Sequence, residues 1–302
     1  DCTLRDGGYI NNWRFTKIFI EEYIDLMNKA KIDFVEIGFI NKTKLYKGTV
    51  VGNSRNIDQN YLKLFSNKKF KVSVLTDFKD INMDLLKNTE NLKYIDLIRV
   101  AFHKEHMNNA IETCCLIKKL GYKVSINAMA VTNYNDEELN NLLNLVNINN
   151  FDIVYIADSY GSLNSKDIKK YINVFNNRLE KTSIGIHLHN NMNNAFNNYV
   201  SSLDVLTKKS LYIDCTLFGM GRGAGNLQTE LVLNNKNLDK KILTDVCIFI
   251  DKHLLKIYNN NINVKWGYEL DYFLSGLFKM HPNYISKFRD IELSFQHKLL
   301  LI

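Results

Sequence analysis

Short apolar runs alternate with longer amphipathic stretches along most of this chain. The runs are Phe34–Phe39 (FVEIGF), Phe70–Leu75 (FKVSVL), Tyr94–Ala101 (YIDLIRVA), Lys123–Ala130 (KVSINAMA), Asp152–Ala157 (DIVYIA), Ser183–His189 (SIGIHLH) and Leu211–Leu217 (LYIDCTL). They are rich in β-branched and aromatic residues, and several are nearly continuous in apolar character. Parallel strands buried on both faces have this pattern. A further strand, first in chain order, is expected to end at about Asp1–Thr3, which makes eight.

Helices are predicted between the strands, at Phe15–Ala30, Met107–Leu120, Asp136–Val146, Ser165–Leu179 and Met192–Leu206. In the first of these, Ile18, Tyr23, Leu26 and Met27 fall on one side, and Asp136 and Ser165 stand where N-caps belong. Strands spaced roughly 30 residues apart and alternating with helices predict a parallel α/β fold. Eight such units predict a closed TIM (β/α)8 barrel over residues 1–237. No glycine-rich dinucleotide fingerprint follows the first strand, which speaks against an open Rossmann sheet. After about Leu238 the pattern changes, and Lys241–Tyr258 and Tyr268–Phe288 read as helices with no strand between them. Residues 238–302 are therefore expected to form a helical extension that packs on the barrel or lines an oligomer interface.

Composition narrows the classes of function. The 302 residues are 46% hydrophobic, enough for one large core. The formal net charge of +7 comes from lysines scattered among Asn and Ile, as at Lys169–Lys170, Lys208–Lys209 and Lys240–Lys241. Without a long basic block or aromatic–basic interleaving, no nucleic-acid partner is expected. The basic surface suits an anionic small molecule. The five cysteines, Cys2, Cys114, Cys115, Cys215 and Cys247, are odd in number and form no metal-type pairs, so a reduced, cytoplasmic protein is expected. No run reaches the roughly 18–20 apolar residues of a membrane span, and no signal peptide is visible. The sequence opens inside a motif, at Asp1, so residues are expected to precede it.

In a barrel, chemistry collects where strands end and the following loops begin. His187 and His189 lie two residues apart at such an end, so both imidazoles point the same way and can grip one metal ion. Asn190 and Asn191 follow as polar loop residues that could support them. The first strand runs into Arg5-Asp6-Gly7-Gly8, where the glycines permit a sharp turn and Asp6 offers a hard carboxylate to complete the imidazole pair. The loop after the last strand, Gly219-Met220-Gly221-Arg222-Gly223-Ala224-Gly225-Asn226, reads either as an anion-binding loop, with Gly221 and Gly223 against substrate, or as a tight turn. Glu36 is a charge inside a run that should be buried, and Arg5 or Arg99 is its expected partner. Arg99 and His103 close one strand, and Asp158-Ser159-Tyr160-Gly161 another.

Taken together, Asp1-Cys2-Thr3-Leu4-Arg5-Asp6-Gly7, His187-x-His189 and the glycine loop ending in Asn226 resemble the DRE-TIM metallolyases over roughly residues 1–235. That family includes HMG-CoA lyase, isopropylmalate and homocitrate synthases, and 4-hydroxy-2-oxovalerate aldolase, and the chain looks most similar to the aldolase-like branch. The resemblance implies that Asp6, His187 and His189 hold a divalent metal, with Asn226 at a position that reaches it in some members. It implies that Arg5 stabilises an enolate oxygen, that Glu36 lies near the active site, and that Ser159 and Arg99 lie near substrate. Mn²⁺ or Mg²⁺ is the implied metal, and Zn²⁺ and Co²⁺ are compatible with the same ligands. The chain departs from the pyruvate aldolases at Tyr9, where they carry a catalytic histidine; Tyr9, His103 or a water is left to carry the proton. The run Gly7-Gly8-Tyr9-Ile10-Asn11-Asn12-Trp13 looks most like aldolase-like proteins found with surface-polysaccharide pathways.

The function expected is that of an aldolase-type carbon–carbon lyase working through the metal-bound enolate of pyruvate or a related 2-oxo acid. Its partner would be an aldehyde, sugar-derived in the weaker resemblance. A homo-oligomer is expected. The competing expectations are a Claisen-type acyl-CoA synthase or lyase with the same centre, and a non-catalytic barrel used for binding. A Schiff-base route is disfavoured because DIVYIA contains no lysine.

Overall fold

A computed structural model describes residues 1–42, 57–205, 207–260 and 265–280. The expected helix at Tyr268–Phe288 lies partly outside the described residues, as does Leu206 at the end of another. Seven parallel strands pair in chain order: β1 (Phe34–Phe39), β2 (Lys71–Asp77), β3 (Leu97–Phe102), β4 (Lys123–Ala128), β5 (Ile153–Asp158), β6 (Ser183–Leu188) and β7 (Leu211–Asp214). Each falls on an expected apolar run.

The strand expected at Asp1–Thr3 forms no ladder of its own. Arg5 N–H and Asp6 N–H both donate to the Cys2 carbonyl, at 3.1 and 2.8 Å, so the backbone turns before a ladder can develop. Its short extended part nevertheless bonds to both edges of the sheet. The Asp1 nitrogen donates to Phe34 O (2.7 Å), Glu36 N–H donates to Asp1 O (2.8 Å), and Cys2 N–H donates to Cys215 O (2.8 Å).

Helices Lys17–Lys29, Met107–Lys119, Asp136–Ile148, Ser165–Arg178 and Ala195–Leu203 cover the outer face of the sheet. Two caps sit one residue earlier than expected. Asn135 and Asn164, not Asp136 and Ser165, are the N-caps, and both form capping boxes, with Glu138 and Asp167. An Asn side chain at the extended residue ahead of the helix reaches the free amides of its first turn.

The strand period of two sorts residues onto the two faces. Val35, Ile37, Val72, Val74, Ile98 and Val100 join one large apolar cluster with helix residues such as Tyr23, Met27, Cys114 and Phe175. The alternate positions face inward and form layers. Leu97, Ile153 and Tyr155 cluster with Phe34 and Tyr212 at the N-terminal ends of the strands. Trp13, Phe39, Leu75 and Ala101 cluster with Tyr9 and Met129 at the C-terminal ends. Between them lie buried charges.

The described part of the extension is helical. It comprises Lys240–Phe249, a π-helical turn at Ile250–Leu254 that continues into Leu255–Asn260, and Leu270–Leu277. Lys252 and His253 meet Glu22, on the Lys17–Lys29 helix. Trp266 Nε1 donates to Phe218 O (2.8 Å), and Gly267 N–H donates to Gly223 O (3.3 Å). Asn191 Nδ2 donates to Tyr272 O (3.2 Å) and Ser275 Oγ (2.7 Å). The extension thus ties down the loops that follow β6 and β7. Among the described residues, no helix is long and apolar enough to cross a membrane.

Candidate metal centre

The turn after Cys2 buries Asp6 at the C-terminal ends of the strands. Trp13 closes this turn by donating from Nε1 to Arg5 O (2.8 Å), and its indole passes over Gly8, where an added Cβ would sit 2.0 Å from Cδ1. His187 is the penultimate residue of β6 and His189 lies just beyond its end, bridged to Asn226. Their rings are 4.9 Å apart and nearly perpendicular, at 87°. The two Nε2 atoms lie 3.8 and 3.9 Å from Asp6 Oδ2. One ligand atom from each of the three residues falls within 4.8 Å of the others, close enough to share one ion.

Each imidazole is oriented through its other nitrogen. His189 Nδ1 is 2.9 Å from the Asp158 carbonyl, and His187 Nδ1 is 3.0 Å from Asp214 Oδ2. Both partners accept only, so each Nδ1 carries the hydrogen and each Nε2 keeps its lone pair for a metal. Burial, reinforced by His187, lowers the His189 pKa to about 3, so the ring is neutral at physiological pH. Burial opposes ionisation of Asp6, but Arg5, His187, His189 and Arg222 outweigh it and hold the carboxyl well below its ordinary range. Asp6 and His189 are therefore already deprotonated, as metal binding requires.

Asn226 stands beside this cluster. Its Nδ2 donates to Asp6 Oδ2 (2.6 Å), while its Oδ1 is buried without a hydrogen-bond partner among the described residues. A buried amide oxygen left unsatisfied is costly, and a cation beside Asp6 would satisfy it. Gly221 makes this approach possible, because a Cβ there would lie 2.2 Å from Asn226 Nδ2. Carboxylate, two imidazoles and an amide oxygen fit a divalent ion of intermediate hardness.

Beneath this cluster runs a closed ring of buried charges. Asp6 Oδ1 meets Arg5 Nη1 at 2.7 Å, and Arg5 Nε meets Glu36 Oε2 at 2.6 Å. Glu36 Oε1 faces Arg99 Nη1 at 3.2 Å, as an ion pair outside hydrogen-bond geometry. Arg99 Nη2 meets Asp214 Oδ2 at 2.5 Å, and Asp214 returns the ring to His187. Glu36 thus meets both of its expected partners. Tyr155 braces the far side, donating to Asp214 Oδ1 (3.1 Å) with its ring 4.1 Å from the Arg99 guanidinium carbon.

The remaining expected site residues divide between near and far. Tyr9 packs against Trp13, with centroids 4.6 Å apart, and carries the Arg222 guanidinium on its ring at 3.9 Å. Ser159 Oγ accepts from Ala130 N–H (2.9 Å), joining the loops after β4 and β5. Gly223 takes a left-handed conformation in the loop after β7 (φ 62°). His103 is exposed beyond β3, and no hydrogen bond or ion pair among the described residues joins it to Asp6, His187 or His189. A second grouping, Cys2, His187 and Asp214, also converges. It suits a metal poorly: the Cys2 thiol is pushed up by burial and faces the Cys215 carbonyl, and Arg99, Tyr155 and His187 already occupy Asp214.

Sequence reasoning gave no role to Asp214, Asp158 or Arg222. Asp214 is a carboxylate inside an apolar strand, the same signal that marked Glu36. Arg222 is the one charged residue in its glycine loop.

Residues 1–248 match the HMGL-like family, and the chain belongs to it. It is 26% identical over 245 residues to the 4-hydroxy-2-oxovalerate aldolase of Geobacillus genomosp. 3, covering 77% of this chain and 68% of that protein. It is 24% identical over 238 residues to the oxaloacetate decarboxylase of Mycobacterium tuberculosis, with 77% and 68% covered. The crystal structure of the N-terminal domain of a candidate aldolase from Bacteroides vulgatus superposes with a TM-score of 0.86 at 27% identity, covering 100% of this chain and 99% of that one.

Proposed function

We propose that this chain is a divalent-metal-dependent aldolase-type carbon–carbon lyase acting on a 2-oxo acid. The observation that carries this reading is the convergence of Asp6, His187 and His189, with the unsatisfied Asn226 amide oxygen beside them. In this reading residues 1–237 form a (β/α)8 barrel, with the Asp1–Cys2 backbone as its eighth staple, and residues 238–302 form an extension packed on it. The hydrogen bonds of Asp1 and Cys2 to both sheet edges support the first part, and the contacts of Trp266, Gly267 and Tyr272 support the second.

Asp6, His187, His189 and Asn226 would hold the ion, for which Mn²⁺ or Mg²⁺ is proposed. When bound, it supplies Lewis acidity to the carbonyl of the 2-oxo acid. Arg5, gripped between Asp6 and Glu36, holds a fixed positive charge where the substrate oxygen becomes negative. Glu36 and Arg99 act as positioning residues, because they are ion-paired to each other, Glu36 also to Arg5 and Arg99 also to Asp214. Asp214 fixes the tautomer of His187. Substrate contacts are assigned to Ser159 and to the backbone of Gly221 and Gly223. Proton exchange at the aldol oxygen is assigned to the Tyr9 hydroxyl, on a ring packed in the layer at the C-terminal ends of the strands, with exposed His103 the alternative carrier. The partner substrate is an aldehyde, and the protein is expected to work as a cytoplasmic homo-oligomer.

The test is deuterium entry into the methyl group of pyruvate, followed by NMR in D₂O. With Mn²⁺ or Mg²⁺ present the signal should wash out, and EDTA should stop it. Bound metal with no exchange would overturn the pyruvate reading in favour of acyl-CoA donors. Failure to bind any divalent metal would leave a binding barrel.

A further inference from the structure

Three arginines surround the metal centre, and they are held differently. Arg5 and Arg99 are buried, and each pairs with two carboxylates. Arg222 is half-buried and makes no direct ion pair with a carboxylate among the described residues, although its charge is felt at Asp6. Its guanidinium carbon sits over the Tyr9 ring, 3.9 Å from the centroid, close enough for the two planes to stack. Tyr9 is itself fixed edge-on by Trp13 at 4.6 Å and Phe39 at 6.3 Å. The neighbouring Gly221 stands against Asp6, where an added Cβ would lie 3.4 Å from Oδ2. Arg222 is therefore a pre-oriented cation at the rim of the centre, contributed by the loop after β7 and seated on the loop that carries Asp6.

A guanidinium stacked on an aromatic face keeps its N–H donors in the ring plane, pointing outward. That fork matches the two oxygens of a carboxylate or phosphate. We infer that Arg222 binds a second anionic group of the substrate, so that the aldol handled here carries a carboxylate or phosphate on the aldehyde-derived half as well as its 2-oxo carboxylate. This rests on the aldolase reading, in which the 2-oxo carboxylate is drawn to the ion and Arg5. Arg222, on the outer side of that group, meets the opposite end of the molecule. Tyr9 supplies the platform, a role that its phenyl ring fills whatever its hydroxyl does.

The inference is tested by equilibrium binding to the Mn²⁺-loaded protein, measured calorimetrically with matched pairs. One pair is 2-oxoadipate against 2-oxohexanoate, which differ in a terminal carboxylate. The other is 2-keto-3-deoxy-6-phosphogluconate against 2-keto-3-deoxygluconate, which differ in a phosphate. The wild type should prefer the dianionic member of at least one pair by about tenfold or more, and the pair that discriminates tells carboxylate from phosphate. Arg222→Gln should bring that preference close to one. Arg222→Lys, which keeps charge but loses the fork, should retain part of it. Equal affinity within both pairs, or a preference that survives Arg222→Gln, would overturn the role of Arg222 alone. If no 2-oxo acid binds to the metal-loaded protein, both this inference and the aldolase reading fail.

Discussion

On β3, three consecutive residues belong to two chemically opposed regions. Ile98 and Val100 join the aliphatic layer between sheet and helices, while Arg99 lies inside, between Glu36 and Asp214. Each layer member has many apolar neighbours and no orientation to keep, so the layer's contribution is additive and non-directional. The interior works the other way. Each charge there has two named partners, and losing one strands the next. Buried ion pairs are poor sources of stability compared with apolar packing, and breaking one side of a pair is expensive. The comparison teaches that the interior charges are present for geometry: they hold Arg5 and His187 in place, while the outer layer makes folding favourable.

This division can be broken most severely at His189. His189→Ala should abolish Mn²⁺ binding and turnover while the metal-free protein melts within a few degrees of wild type. Retained tight Mn²⁺ binding in a titration would refute the ligand assignment. Next comes Glu36→Ala, which leaves Arg5 and Arg99 short of a counter-charge and should cost about 3–5 kcal/mol in denaturant unfolding. A cost below about 1 kcal/mol would show that the ring is already hydrated.

The third effect concerns Asp158, whose carboxyl is raised to about 7 by burial, against the amide hydrogen bonds from Ser162 and Leu163. The folded state therefore holds this proton more tightly than the unfolded chain does. Between about pH 4 and pH 7 the folded form carries more protons, so metal-free stability should fall as pH rises, by on the order of 4 kcal/mol. Asp158→Asn should flatten the slope; an unchanged slope would locate the titration elsewhere. Asp214→Asn should weaken Mn²⁺ binding by about 10–100-fold, since the orienting partner of a ligand histidine is lost. Wild-type affinity would mean that His187 needs no such partner. The mildest test sharpens the contrast from outside. Ile98→Val should cost about 1 kcal/mol with Mn²⁺ affinity untouched, and altered affinity would show that the two regions are coupled.

How much was legible in the sequence follows from the same division. The seven ladder strands could be read because residues buried on both faces leave nearly continuous apolar runs, as in Ile153–Ala157. Asp1–Thr3 was read as a strand, yet its pairing depends on Phe34 and Cys215, which no local pattern reports. Asp6, His187 and His189 were legible because their residue types and spacing are metal-ligating. The carboxylate behind His187 was legible in principle, since a charge in LYIDCTL demands a partner, but its identity required the register that sets His187 opposite Asp214. The seat of Arg222 on Tyr9 was not legible, because it arises where two loops distant in sequence meet. The caps slipped by one residue because Asn135-Asp136 and Asn164-Ser165 each offer two capable side chains in succession.

The contact between Cys2 and Cys215 spans 213 residues, and that between Asp6 and Asn226 spans 220. A ribosome adding about 5–20 residues per second takes roughly 10–40 s to cover such a distance. Throughout that interval Cys2 and Asp6 lack these partners, and the growing sheet keeps an unfilled edge open to other chains. Asp6, His187 and His189 are all in the chain once β6 has been made, but Cys215 and Asn226, which tie the turn carrying Asp6 to the far side of the sheet, come later. The nascent chain must therefore be kept from aggregating by other means until β7 and the loop after it arrive.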